Sequence, residues 1–145
     1  MIAINWEVSR QIMKWLKRIG IGFLFLPVFL IAFWVLYEIF GMCVNHIATK
    51  QQTEQLQAHL EQEIPDIEII NVYSETGNTT GTGNHADCLS SIIFSTQMQV
   101  PKLQEQLSKY YTFDDWSCCI NTTEDGCYLF YLNTSAPFAD NIEGH

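Results

Sequence analysis

From Ile19 to Phe40 the chain reads IGIGFLFLPVFLIAFWVLYEIF, 22 residues with one ionisable group, Glu38, near the far end. As a helix rising about 1.5 Å per residue this stretch is about 33 Å long, the thickness of a bilayer's hydrocarbon core. The remainder, roughly a hundred residues, is too small a body to enclose a helix that is apolar on every face. The sequence therefore predicts a single transmembrane helix over 19–41.

Charge divides at the same place. Residues 1–41 carry Arg10, Lys14, Lys17 and Arg18 against Glu7 and Glu38, a net of +2, whereas residues 42–145 carry Lys50, Lys102 and Lys109 against 14 acids, a net of −11. Basic flanks stay in the cytoplasm, so the N-terminus is expected inside and the C-terminal domain outside the cell membrane. Trp15, Lys17 and Arg18 at the inner edge and Trp34 and Tyr37 at the outer edge fit interface positions, where polar tips reach headgroups while rings stay in lipid. Glu38 lies within about one turn of the outer edge, close enough for its carboxylate to reach water. Pro27 cannot donate to the turn before it and is expected to kink the helix. Residues 1–18 read as a short cytoplasmic or interfacial segment.

A cleaved signal sequence fits less well, because the apolar core exceeds the usual length and no small-x-small site follows. Cys43 is preceded by Met42, where a lipoprotein site wants a small residue. The segment is thus expected to stay as a signal-anchor.

Beyond the span, residues 42–65 read as a juxtamembrane helix that packs on the domain or leads to it. Leu56, Leu60 and Ile64 form its narrow apolar stripe, and Pro65 ends it. An extracytoplasmic domain over 66–134 follows. Strands are expected at 66–75, with Ile67, Ile69 and Tyr73 on one face, and at 87–96, with Cys88, Ile92 and Phe94 on one face. The glycine-rich stretch 76–85 between them is a loop. A helix begins near Pro101, with Leu103 and Leu107 spaced i, i+4.

The last two strands, 115–122 and 127–134, form a hairpin around Glu124-Asp125-Gly126, which aligns Trp116, Cys118 and Ile120 with Tyr128, Phe130 and Leu132 as the core face. The order α-β-β-α-β-β makes the chain α+β and matches a two-layer sandwich that is a circular permutation of the ferredoxin-like arrangement. The tail 135–145 has Pro137 and Phe138 as its docking point.

In such a sheet the second and fourth strands are expected side by side and parallel, which brings Cys88 and Cys127 together as a disulfide pair in an exported domain. Against this stands the simpler reading of reduced, buried core thiols. The vicinal Cys118-Cys119 point to opposite faces and no C-x-x-C occurs, so no zinc site is expected. His85, Asp87 and Cys88 are the densest set of chemically capable groups, but neighbours in an extended segment diverge and the loop lacks a phosphate-binding pattern. Asp114-Asp115 and Glu124-Asp125 read as turn residues rather than cation ligands. N-x-[ST] triplets begin at Asn78, Asn121 and Asn133, two of them in expected strands.

No catalytic, cofactor or metal constellation is expected. The sequence points to a single-pass membrane protein whose acidic outer domain is a protein-binding module or an accessory subunit of a membrane complex, with the bilayer and a protein at the membrane as partners. The acidic domain argues against nucleic acid as a ligand. Two alternatives are a ligand or cation sensor acting through the membrane helix, and an anchored thiol-redox protein using Cys118, Cys119 or Cys127.

Overall fold

The computed structural model describes residues 6–81 and 83–145. Residues 1–5 of the expected interfacial segment, and Thr82 of the glycine-rich loop, lie outside the described residues. The chain is α+β: helix α1 (Trp6–Glu63), strands β1 (Glu68–Gly77) and β2 (Asp87–Ser95), helix α2 (Val100–Leu107), strands β3 (Cys118–Thr122) and β4 (Tyr128–Ser135), and a short 3-10 turn (Ile142–Gly144). Two compact units divide between Ile39 and Phe40. The first is the N-terminal part of α1, in which the helix continues through Pro27. The second, Phe40–His145, takes in both the 42–65 segment and the tail.

In the second unit the four strands form one sheet in the order β1-β2-β4-β3, with all neighbours antiparallel. The rows facing inward set Ile92, Phe130 and Ile120 side by side, and next to them Ser90, Leu132 and Cys118. Leu56, Leu60 and Ile64 at the end of α1 and Leu103 and Leu107 of α2 close over these rows in one core. All five side chains are fully buried, as their i, i+4 spacing requires. The β3–β4 turn is pinned by Thr123 donating to the Cys127 carbonyl at 2.8 Å, and Gly126 there adopts φ +79°, a left-handed conformation that glycine takes without strain.

Three expectations need correction. Because β2 and β4 are antiparallel rather than parallel, Cys88 lies opposite Thr134 while the strand end next to Cys127 lies opposite Phe94. Cys88 and Cys127 therefore sit at opposite ends of the pair, and all five cysteines are free thiols. Tyr73 leaves the Ile69 face: a bulge between Ile69 and Asn71 inserts a residue, so Ile69 opposes buried Phe94 while Tyr73 opposes Ser91 on the outer face. Trp116 is 87 % exposed, outside the core, since β3 begins only at Cys118.

Asp114 explains that late start. Its carboxylate accepts backbone N–H bonds from Trp116 (2.8 Å), Ser117 and Cys118 (3.0 Å), folding the segment into a turn before pairing begins. These donors hold the Asp114 carboxyl far below the usual aspartate range, the Ser117 side chain and backbone contributing most.

Candidate functional site

The N-terminal part of α1 is long and apolar enough to cross a membrane by length and composition, and none of its most apolar window is buried. Phe23, Leu24 and Phe29 are 70 %, 73 % and 70 % exposed, and they point to different sides of the helix. Trp15 and Trp34 stand 67 % and 54 % exposed. Nineteen positions separate them, about 28 Å along the axis. Lys17 and Arg18 lie on exposed helix two and three residues beyond Trp15, and Tyr37 is 52 % exposed three beyond Trp34.

Within the second unit the same helix changes character. Gly41, Asn45, Thr49, Thr53, Leu56 and Leu60 are buried, a stripe at spacings of four and three that begins polar and ends apolar. Asn45 is fully buried, and its amide donates to the Phe138 carbonyl (3.0 Å) while accepting the Phe138 N–H (2.9 Å). The Thr49 hydroxyl bonds that of Thr76, and Thr53 that of Ser90, each at 2.7 Å. Gln52 donates to the Cys88 carbonyl at 2.8 Å. A buried polar group left unpaired is costly, so these bonds fix one rotation and one height of the helix on the sheet. From the sequence only Leu56, Leu60 and Ile64 of this segment are expected to face the domain. The repeat Gly41, Asn45, Thr49, Thr53 was the available signal of docking.

The tail completes this seam. Phe138 sets its ring edge-on to Phe40, with centroids 5.7 Å apart. Asn141 caps the final turn by accepting the Glu143 N–H. Glu143 meets His46 at 2.7 Å. Gly144 presses on the backbone of His85 and Ala86 closely enough that a Cβ would collide with it. The chain end is thus a strap across the start of the docked helix and the start of β2.

Of the expected chemical cluster, His85 and Asp87 are brought together and Cys88 is not. The His85 Nε2 lies 3.1 Å from Asp87, whose other oxygen accepts from Thr79 and Thr80, each at 3.4 Å. Cys88 points inward, packed with Ala86 and Ala136. Burial pushes its thiol pKa up, and pushes that of Cys118 up to about 11. Both shifts run opposite to what a nucleophilic thiolate requires. Among the described residues no three His, Cys, Asp or Glu side chains gather as metal ligands. Asn133, of the third N-x-[ST] triplet, is buried, and the Asn78 amide is engaged within its own loop, accepting from Gly81 at 2.9 Å.

A second polar cluster lies where α1 ends. Lys109 reaches Glu63 at 2.6 Å, and that contact lowers the carboxyl pKa and raises that of the amine. His59 stacks on Tyr110 and bonds the Tyr111 hydroxyl at 2.8 Å. Burial raises the Tyr111 pKa to about 12. These contacts tie α1 to the segment after α2.

No protein-family model, no curated protein and no solved structure matches this chain.

Proposed function

We propose that the chain is a single-pass membrane protein, N-terminus inside and C-terminus outside, whose outer body is a non-catalytic protein-binding module or an accessory subunit of a membrane complex. The observation that carries the reading is the division of one helix: an unburied, uniformly apolar part suited to lipid, followed by a part locked into a small acidic α+β body. Orientation rests on Arg10, Lys14, Lys17 and Arg18 before the span, against Lys50 alone close after it. Trp15, Lys17 and Arg18 then lie at the inner interface and Trp34 and Tyr37 at the outer one. The order β1-β2-β4-β3, with both helices on one face, supports the finer reading of a circularly permuted ferredoxin-like sandwich.

The test is a crosslinked pull-down of the full-length protein in mild detergent, alongside a chain in which an unrelated membrane helix replaces residues 19–40. The reading expects a stoichiometric protein partner. Its retention in the replaced chain assigns recognition to the outer body, and its loss assigns it to the helix. A full-length chain recovered repeatedly without any partner overturns the reading.

A further inference from the structure

The sheet has two open edges of unequal design. β3 is five residues long, which is one way natural sheets blunt an edge. β1 is ten residues long, and among the described residues β2 is its only sheet neighbour, so every second residue directs its N–H and C=O away from the sheet. It is also poorly covered by side chains: Ile70, Val72 and Tyr73 are 53 %, 40 % and 49 % exposed. Such a strand is a template for one more strand.

Charge says which strand. All three lysines of the second unit lie on or beside the helices: Lys50 in α1, Lys102 in α2 and Lys109 just after it. The four strands contain Glu68, Glu75 and Asp87 and no Lys or Arg. Glu68 opposes Ser95 and Glu75 opposes Leu89, so the bulge at Ile70 sets both carboxylates on the outer face, six ladder positions apart. That is about 20 Å of strand. Lys50, which lines a groove at the end of β1 together with Ser74 and Glu75, is paired with Glu54 at 3.8 Å. A second copy is a poor occupant, because two β1 edges would bring four carboxylates and no cation onto one strand pair.

We infer that the β1 edge takes an extended, cationic segment of a partner protein by strand addition, with two Lys or Arg side chains six residues apart facing Glu68 and Glu75 on the outer face and apolar residues on the opposite face beside Val72. This rests on the protein-binding reading above and adds the surface and the chemistry of what it holds.

The probe is a ten-residue capped peptide of alternating β-branched and polar residues with Lys at positions 2 and 8, added to the full-length protein in detergent micelles. Two controls are the same peptide with Glu at both positions and one with N-methylated backbone on the pairing edge. The Lys peptide is expected to slow hydrogen exchange at the β1 amides that point away from β2. It should bind about tenfold tighter than the Glu peptide, and the N-methylated peptide should not bind. Glu68→Lys combined with Glu75→Lys changes two exposed side chains and should reverse the preference. Equal affinity for both charges, or protection elsewhere on the molecule, overturns the inference. So does concentration-dependent protection of β1 without peptide, which would make a second copy the occupant. A partner captured by the full-length chain and held undiminished by the double variant would also sink the edge assignment while leaving the protein-binding reading intact.

Discussion

Between Trp6 and Ile39 α1 leaves apolar side chains exposed on every side; between Gly41 and Leu60 the same helix buries one stripe, and from Lys50 onward its other side chains are polar apart from Ala58. The first pattern suits a solvent as apolar as itself. The second is an amphipathic helix on a sheet, except that the upper half of its buried stripe is Asn and Thr rather than Leu. One continuous helix can therefore obey two sets of rules, and what marks the change is the pairing of its buried atoms as much as hydropathy.

The sharpest way to break the comparison is to cut equivalent side chains in the two parts. Leu60→Ala empties a fully buried position between α1 and the sheet and should cost about 2–5 kcal/mol, read by denaturant unfolding of the full-length protein in micelles. Leu30→Ala, at a position 60 % exposed, should change the stability of the Phe40–His145 unit by less than about 0.5 kcal/mol. Comparable losses from both would erase the distinction.

Next in size are the contacts of the strap. Asn45→Leu leaves the Phe138 N–H and C=O without their partner and should cost about 1–3 kcal/mol, with faster hydrogen exchange confined to residues 136–145. Gly144→Ala drives a methyl group into the His85–Ala86 backbone and should cost about 1–3 kcal/mol by displacing the same segment. If exchange at 136–145 were already fast in the parent protein, the strap would not be part of the docked region.

The smallest effect is a change of slope with pH. The Asp114 carboxyl is held below its unfolded value, so it stabilises the fold above about pH 4 and that contribution is lost as the pH falls through the folded value. Asp114→Ala should lower stability at neutral pH and flatten the acid side of the curve. An unchanged acid limb would show that the turn before β3 does not depend on this charge.

Much of the second unit was legible because periodicity records burial. Cys88, Ile92 and Phe94 face inward as their alternation requires, and Leu56, Leu60 and Ile64 form the helix side of the core. What escaped the pattern was set by backbone events that side-chain alternation does not encode. One extra residue at the β1 bulge turned Tyr73 to the other face. A single Asp gathering three amides left Trp116 in solvent. The antiparallel sense of β2 and β4, fixed by how the chain crosses the sheet, separated Cys88 from Cys127. The polar seam was present in the sequence at its four-residue spacing, but polar residues on a helix read as a solvated face until their partners on the sheet and strap are known.

The most direct test of the account is accessibility from outside an intact cell. In a chain whose Cys43, Cys119 and Cys127 are serine, Trp116→Cys places a thiol at a position 87 % exposed on the Phe40–His145 unit. The protein is expected to stay in the membrane fraction after alkaline extraction, and a membrane-impermeant maleimide is expected to label the thiol before lysis. Recovery in the soluble fraction, or labelling only after the membrane is broken, would contradict it.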